Sequence, residues 1–151
     1  MQDIVNCLWF DGRGLEAAMY YTRLFPNSRI LGQSSGPEGG EPMTVNFELN
    51  GRSFVALNGG PAYVFNEAVS FQIVCDSQEE IDRYWDALTA GGAEGKCGWL
   101  TDRFGVSWQV VPHRLSELLG GGDPEVARRV VEAFMPMRKF DLAVLEAAAA
   151  G

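Results

Sequence analysis

The sequence predicts an α+β fold in which two β-α-β-β-β modules form curved mixed sheets and helices follow at the C-terminus. Two observations lead to this prediction. Strand-like and helix-like segments follow the same order in each half of the chain, and a polar turn joins two apolar runs in each half. Each sheet has an apolar face to bury, so we expect one domain, with module 1 at about 1–61, module 2 at about 66–112 and the helical extension at 113–150.

Module 1 is predicted to contain four strands and one helix. Residues 4–10 form a mostly apolar run of strand length, and residues 15–25 carry a helical pattern that a proline ends. Apolar and polar residues alternate over 44–49, and Asn50-Gly51 is a pair typical of two-residue hairpin turns. The other strands are predicted at 29–33 and 53–57, with a glycine-rich loop over 34–41.

Module 2 begins with a predicted strand at 69–75 and a helix whose start carries a capping box. In this S-x-x-E pattern, Ser77 accepts a hydrogen bond from the amide of Glu80, and the Glu80 carboxylate reaches back. Apolar residues at helical spacing then define a side of the helix that faces the core. They are Ile81, Tyr84, Trp85 and Leu88.

A hairpin over residues 97–112 closes module 2. The sequence D-R-F-G at 102–105 supplies the turn, in which Gly105 can adopt a positive φ. Side chains of the second strand alternate between the two faces of the sheet. One face is predicted to carry Val106, Trp108 and Val110, and the other Ser107, Gln109 and Val111. Trp108 and Gln109 are therefore expected on opposite faces.

Three helices are predicted after the hairpin. The first covers 113–119, the second begins at the N-cap Asp123 with a proline at its first position, and the third covers 141–150. Pro136 is expected to break or kink the second helix. An apolar stripe on that helix is expected to be exposed and to offer a surface to a second copy of the chain. The stripe consists of Ala127, Val130, Val131 and Phe134.

Composition and charge exclude several functional classes. Of 151 residues, 20 are acidic and 12 basic, and a net charge of −8 repels a phosphate backbone, so nucleic-acid binding is not expected. No apolar run reaches the roughly 18 residues of a membrane span, and no signal peptide is visible, so we expect a cytoplasmic protein that does not bind membranes. Three well-separated cysteines fit reduced thiols, and a single histidine, His113, excludes a histidine-rich metal site.

The two halves can be superposed on each other. A shift of 64 residues aligns the two helices and places Asn6 on Ser70. A shift of 54 residues aligns the two hairpins and places Val55 on Gln109. The second shift is smaller because the middle loop of module 2 is shorter, and the shared order of elements supports two copies of one module.

Several segments carry a resemblance to a known family. They are C-L-W-F-D-G at 7–12, L-F-P-N-S at 24–28, A-L-N-G-G-P at 56–61, F-N-E-A-V-S-F at 65–71, and C-G-W-L-T-D-R-F-G-V-S-W-Q-V-V-P at 97–112. With these segments the chain resembles the PhnB-like, 3-demethylubiquinone methyltransferase-like group of the glyoxalase/bleomycin-resistance/dioxygenase (vicinal oxygen chelate) superfamily. The resemblance covers nearly the whole chain, to about residue 145. It implies a glyoxalase-like fold and a homodimer.

The resemblance also implies where a metal ion would bind. In the superfamily, each module supplies two ligands, typically His or Glu, from the inner face of its curved sheet. Through the internal repeat, the equivalent positions here are Asn6, Val55, Ser70 and Gln109. Neutral amides, a hydroxyl and a hydrocarbon are poor ligands for a hard divalent ion, so we expect no metal and no cofactor.

Polar and aromatic side chains on the same strands predict a cleft for a small molecule. Their amide and hydroxyl groups would bind a flat, uncharged or cationic ligand, and a tryptophan would form a stacking wall. The candidate ligand-binding residues are Asn6, Leu8, Ser70, Gln72, Trp99, Trp108 and Gln109. Trp9 is a further candidate wall. Alternatively, Trp9 and Trp108 belong to the core, and neighbours or water satisfy the polar groups.

Three functions are compatible with these residues. The first is binding of a small molecule without a metal, with no physiological role assigned. The second is an enzyme of the family's described type, demethylubiquinone methyltransferase-like, or a related lyase or isomerase, with Glu67, Cys97 and Gln109 as candidate catalytic residues. Surface exposure of Glu67 and simple packing of Cys97 are the alternatives. The third is a structural dimer without a ligand. A binder would release its ligand unchanged, whereas an enzyme would convert it.

Overall fold

Two four-stranded mixed sheets and five α-helices make up the structure, a computed structural model that describes residue 1 and residues 3–151. The residues group into two units, Met1–Phe65 and Asn66–Gly151. The predicted α+β fold of two β-α-β-β-β modules followed by helices is confirmed. Among the described residues, no helix combines the length and the apolar character needed to cross a membrane.

The first unit contains a sheet with the strand order β1-β4-β3-β2. Strand β1 runs parallel to β4, and the other two pairs of neighbouring strands are antiparallel. The elements are β1 (Asn6–Phe10), α1 (Gly14–Leu24), β2 (Arg29–Gln33), a short 3₁₀ helix (Pro37–Gly39), β3 (Thr44–Leu49) and β4 (Arg52–Asn58). The predicted Asn50-Gly51 turn is confirmed, since both residues have a positive φ.

One face of the first sheet packs against α1, which approaches it closely. The helix contributes mainly small residues to this contact, namely Gly14, Ala17, Ala18 and Tyr21. At Gly14 the approach is so close that a Cβ atom would lie 2.8 Å from Oδ1 of Asn58. The same Oδ1 accepts a 2.8 Å hydrogen bond from the Gly14 amide. Asn58 of β4 therefore caps the start of α1 from the sheet.

The second unit repeats the same strand order and directions. Its sheet has the order β5-β8-β7-β6, with β5 parallel to β8 and antiparallel pairing elsewhere. The elements are β5 (Phe71–Cys75), α2 (Gln78–Thr89), β6 (Ala93–Glu94), β7 (Trp99–Thr101) and β8 (Ser107–Pro112). The predicted β-α-β-β-β order includes a strand at β6, but its bounds were not predicted, because two residues are too few to show an alternating pattern.

Helix α2 buries the predicted face of Ile81, Tyr84, Trp85 and Leu88. Its start shows a shifted version of the capping box. The Ser77 hydroxyl accepts from the Glu80 amide at 3.2 Å, but the Glu80 carboxylate accepts from the Asp76 amide, one residue before the N-cap. Both interactions still satisfy amides at the helix start.

The buried faces of the two helices align at a shift different from the predicted one. In α1 the buried positions run from Gly14 to Tyr21, and in α2 they run from Ile81 to Leu88 with identical spacing. A shift of 67 residues, from Gly14 to Ile81, superposes all four buried positions. The predicted shift of 64 instead superposes the first residues of the two helices, Gly14 and Gln78, so the buried positions of α2 begin nearly one turn further along the helix than those of α1.

Three C-terminal helices form an apolar cluster in the second unit: α3 (His113–Gly120), α4 (Pro124–Phe134) and α5 (Leu142–Ala150). Asp123 caps α4, accepting from the Glu125 amide at 2.9 Å, and α4 ends before Pro136 as predicted. The buried members of the cluster are Leu115, Leu118, Val130, Phe140 and Leu145.

The apolar stripe of α4 does not form the exposed surface that was expected. Val130 is fully buried in the cluster, and Val126 and Phe134 pack against it. Val131 is the member of the stripe that stays exposed, at 37%. The stripe covers neighbouring helices of its own chain because α4 and α5 pack directly against each other.

Candidate functional site

A buried carboxylate in the hairpin turn sets the position of β8. Asp102 is only 3% exposed, and it accepts hydrogen bonds from the amides of Phe104 (2.8 Å) and Val106 (3.0 Å). It also accepts a 2.8 Å bond from the indole N–H of Trp108. Gly105 has the predicted positive φ, +90°. The carboxylate thus ties the turn to the first residues of β8.

Three of the predicted site residues meet on the face of the second sheet that lies opposite α2. Gln72 and Gln109 are cross-strand partners in β5 and β8, and Ser70 directly precedes β5. The Gln109 Nε2 donates to the Ser70 hydroxyl at 2.8 Å. The Gln72 Nε2 donates to Gln109 Oε1 at 3.2 Å. We refer to Ser70, Gln72 and Gln109 as the amide cluster.

Trp99 lies beside the amide cluster. It is the register partner of Gln109 in the antiparallel pair of β7 and β8, so both side chains lie on the same face of the sheet. Trp99, Gln109 and Ser70 are half-buried, and Gln72 is exposed. The structure therefore brings four predicted site residues together on one accessible face.

The amide cluster has hydrogen-bonding capacity that its internal bonds do not use. Two primary amides carry four N–H donors, and the two hydrogen bonds within the cluster use two of these donors. The bonds also orient the amides, since Gln109 donates toward Ser70 and accepts from Gln72. Both donors and acceptors are thus presented in fixed directions, as recognition of a polar ligand requires.

The face that carries the amide cluster has no charged side chain on its three longer strands. Alternation along β5, β7 and β8 places seven residues on it: Gln72, Val74, Trp99, Thr101, Ser107, Gln109 and Val111. All of them are neutral. This part of the described structure has no strand group that would neutralise an anion or a cation.

Trp108 is not part of this group. It lies on the opposite face of β8, is 4% exposed and bonds to Asp102 through its indole N–H. Its ring contacts that of Phe71, with ring centres 5.4 Å apart. Trp108 therefore belongs to the core of the second unit, which was the alternative interpretation of the sequence.

The remaining predicted binding residues lie in the first unit. Leu8 is buried on the α1 side of the first sheet. Asn6 pairs with Phe54 across β1 and β4, which places it on the same side as Leu8, and its Nδ2 donates to the Ser53 carbonyl at 3.3 Å. Trp9 is half-buried and donates to the Gly60 carbonyl at 2.8 Å.

Strand pairing corrects one assignment of the internal repeat. Val55 pairs with Cys7, whereas Gln109 pairs with Gln72. If Val55 corresponds to Gln109, then Cys7 corresponds to Gln72, and Asn6 does not correspond to Ser70. The sequence alignment missed this because it was anchored on the helices, which do not share the register of the strands.

The positions that the resemblance implies for a metal do not fit one. In the second unit Ser70 and Gln109 carry a hydroxyl and an amide, and in the first unit Asn6 carries an amide and Val55 offers no ligand atom. Among the described residues, no group of three or more His, Cys, Asp or Glu side chains could hold a metal ion. The chemistry of this face is therefore that of neutral hydrogen bonding and stacking.

The two other candidate catalytic residues lie outside the amide cluster. Glu67 is exposed in the turn before β5. Cys97 is half-buried in the loop before β7, with its amide bonded to the Met137 carbonyl at 2.8 Å. Neither side chain is hydrogen-bonded to the cluster within the described part of the chain. Gln109 is the one catalytic candidate that the structure places there.

Comparison with known proteins identifies the family. A family model described as 3-demethylubiquinone-9 3-methyltransferase matches residues 2–111. A solved PhnB protein from Bacillus cereus is 32% identical, with a TM-score of 0.69, over 74% of this chain and 99% of that one. Protein PA1353 from Pseudomonas aeruginosa is 27% identical, with a TM-score of 0.59, over 74% and 98% of the two chains. No curated protein sequence matches the chain.

A more distant neighbour shares the fold. The fosfomycin resistance protein FosX from Listeria monocytogenes is 15% identical, with a TM-score of 0.56, over 78% of this chain and 96% of that one. Another structure of FosX contains Mn(II) and 1S,2S-dihydroxypropylphosphonic acid. The family match over most of the chain and the identity to the Bacillus cereus PhnB protein show that the chain belongs to the PhnB-like, 3-demethylubiquinone-9 3-methyltransferase family.

Proposed function

We propose that this PhnB-like protein binds a small, planar, uncharged molecule at the amide cluster, with Trp99 as a stacking wall and without a metal ion. The observation that supports this function is the hydrogen-bonded chain from Gln72 through Gln109 to Ser70, beside Trp99 on an accessible face. A glutamine pair that is oriented in this way presents donors and acceptors to a ligand edge, and the indole offers a flat apolar surface.

The charge of the ligand follows from its surroundings. An anion that left water for this face would lose hydration without gaining a cationic partner, and a cation would gain no carboxylate. An uncharged ligand avoids this cost, since each amide hydrogen bond contributes about 0.5–1.5 kcal/mol. Stacking on an aromatic ring adds about 0.5–1.5 kcal/mol. The absence of charged strand side chains on this face supports an uncharged ligand over the cationic one that the sequence also left open.

Three probes of the same shape test this proposal: benzamide, benzamidinium and benzoate. They share a phenyl ring and a planar head group but carry charges of 0, +1 and −1. We expect benzamide to bind with a Kd on the order of 1 mM, as suits so small a probe, and the charged probes at least about tenfold more weakly. Isothermal titration calorimetry or ligand-observed NMR measures the three affinities.

Variants then assign the binding to the site. Gln109→Leu and Trp99→Ala are each expected to weaken benzamide binding at least about tenfold, a loss of about 1.4 kcal/mol. Gln33→Leu is the matched control, because Gln33 is an exposed glutamine in β2 of the first sheet. Binding of benzoate as tight as that of benzamide, or an unchanged Kd in Gln109→Leu, would contradict the proposal.

Native mass spectrometry of the purified protein tests the remaining parts of the proposal. A ligand that co-purifies should be released unchanged, and elemental analysis should find no stoichiometric metal. The homodimer proposed for this chain predicts a mass of twice 16.5 kDa. Turnover of the released ligand by the protein would favour an enzyme instead, and a stoichiometric metal ion would overturn the metal-free site.

A further inference from the structure

We infer that the C-terminal segment 137–142 is a clamp that positions Trp99 by holding the loop in front of β7, and that Gln78 of α2 locks this clamp. Trp99 serves ligand binding only if the proposed function is right, whereas the packing of its loop can be tested without any ligand. We refer to residues 137–142 as the clamp segment.

The loop before Trp99 is held by two consecutive backbone hydrogen bonds. The Cys97 amide donates to the Met137 carbonyl, and the Gly98 amide donates to the Arg138 carbonyl, both at 2.8 Å. Cys97 and Gly98 both have a positive φ, +53° and +80°. A cysteine in this region costs about 1–2 kcal/mol, so the loop needs external contacts to keep this conformation.

The same loop also connects to the strand of the amide cluster. The Gly98 carbonyl accepts a 2.8 Å hydrogen bond from the amide of Val110, the residue after Gln109. A Cβ atom on Gly98 would lie 2.5 Å from the Val110 carbonyl and 2.6 Å from the ring of Phe140. Gly98 therefore fits between β8 and the clamp segment, and its position determines where Trp99 begins β7.

Phe140 and Gln78 fix the clamp segment in the second unit. Phe140 is 2% exposed within the apolar cluster of the C-terminal helices. The amide of Gln78 spans the segment, since its Nε2 donates to the Phe140 carbonyl at 3.0 Å and its Oε1 accepts from the Leu142 amide at 2.8 Å. One side chain of α2 thus holds the backbone on both sides of Asp141.

A charged contact adds to this lock. The Lys139 ammonium lies 2.8 Å from Asp82 of α2, and the same carboxylate accepts from Gln78 Nε2 at 3.0 Å. These hydrogen bonds, first from Lys139 and then from Gln78, lower the pKa of Asp82. The carboxylate therefore stays ionised and keeps both partners in place at neutral pH.

The clamp segment lies outside the part of the chain that defines the family. The family match ends at residue 111. The Bacillus cereus PhnB structure is covered over 99% of its length but only 74% of this chain, so about a quarter of this chain has no counterpart there. The clamp is thus added to a site whose other parts belong to the shared module.

Fluorine NMR of protein labelled with 5-fluorotryptophan tests the clamp. The chain has four tryptophans, so four resonances are expected, and single Trp→Phe substitutions assign them. We expect Gln78→Ala and Phe140→Ala to shift or broaden the Trp99 resonance while that of Trp9 in the first unit stays unchanged. Glu79→Ala, an exposed neighbour of Gln78 in the same helical turn, is the matched control.

Hydrogen exchange provides a second measurement, which distinguishes a local release of the loop from a general loss of stability. In Gln78→Ala, the amides of Cys97 and Gly98 should exchange at least about tenfold faster, whereas the Val106 amide, held by Asp102, should keep its rate. If Phe140→Ala does not fold, Gln78→Ala alone decides the test. An unchanged Trp99 resonance, or equal changes in all four resonances, would overturn the clamp.

The benzamide titration separates this inference from the proposed function. If both hold, Gln78→Ala also weakens benzamide binding relative to Glu79→Ala. If the wild-type protein does not bind benzamide, the proposed function fails, while the NMR and exchange results still decide whether the clamp exists.

Discussion

The two sheets share one topology but carry different chemistry on the faces opposite their helices. At the equivalent cross-strand position, the first sheet has Cys7 and Val55, and the second has Gln72 and Gln109. Packing against the helix constrains one face of each sheet, while the other face can change without loss of the fold. The two copies of the module therefore keep the same strand order and the same helix-facing side of the sheet, while the residues on the other face of the sheet differ in their capacity to bind a ligand.

The helices of the two modules, in contrast, differ on the face that packs against the sheet. Their buried positions have the same spacing, but α1 uses glycine and alanine where α2 uses isoleucine, tyrosine and tryptophan. In the first unit the sheet fills the space instead, with Phe47 and Phe54 stacked at 5.3 Å between ring centres. The volume of the core is thus divided differently between helix and sheet in the two modules.

The largest difference in stability between the two modules is expected from substitutions in their hairpin turns. Asp102→Ala removes the acceptor of three hydrogen bonds and leaves buried donors unsatisfied, so it should lower the free energy of unfolding by at least about 3 kcal/mol. Asn50→Ala in the other hairpin places an alanine at positive φ and should cost only about 1–2 kcal/mol. Urea unfolding followed by circular dichroism compares them. Equal losses of unfolding free energy in the two variants would contradict this difference between the turns.

A smaller effect is expected where α1 approaches its sheet. Ala17 is fully buried, and no space is available for the three extra carbons of a leucine without a shift of the helix. Ala17→Leu should therefore lower the free energy of unfolding by about 1–3 kcal/mol in a urea titration. Glu16→Leu, at an exposed position of the same helix, serves as the control. If Ala17→Leu were neutral, the close packing of α1 would not be a constraint.

The least disruptive test uses the cysteines in the first strand of each module. Cys7 is exposed, whereas Cys75 is 1% exposed, and burial is the main cause that raises the pKa of its thiol to about 12. At pH 8 only about one in 10,000 Cys75 thiols is ionised, and the thiolate is the reactive form.

Iodoacetamide at pH 8 should therefore alkylate Cys7 and leave Cys75 unmodified until urea unfolds the protein. Mass spectrometry of peptides measures both sites in one sample, and the unfolded protein is the control in which both react. Alkylation of Cys75 at a rate like that of Cys7 in the folded protein would show that β5 does not bury its helix-facing side.

Local patterns in the sequence were sufficient for most of the fold. The strands at 29–33 and 44–49 have the predicted bounds, and Asp123 caps its helix as predicted. Alternation, helix capping and turn chemistry depend on residues that are close together in the chain, so they can be recognised in the sequence. The burial of the α4 stripe could not be predicted in this way, because it depends on how α4 packs against α3, which precedes it, and α5, which follows it.

The site was predictable in part for the same reason. Alternation in β8 correctly separated Gln109 from Trp108, and both glutamines of the amide cluster were among the predicted residues. The roles of Asp102 and Gln78 could not be foreseen. Asp102 has the sequence context of an ordinary turn residue, and neither its burial nor its hydrogen bond from the Trp108 indole follows from that context. Gln78 acts on Phe140 and Leu142, more than 60 positions away.

By itself, the sequence determined the repeated module, the family and the neutral chemistry of its candidate binding residues, since these follow from residue types and their spacing. Only the tertiary structure decided which of those residues meet. It paired Gln72 with Gln109, placed Trp99 beside them and put Trp108 in the core. Strand register and helix packing are set by contacts between distant segments, whose free energies no local pattern contains.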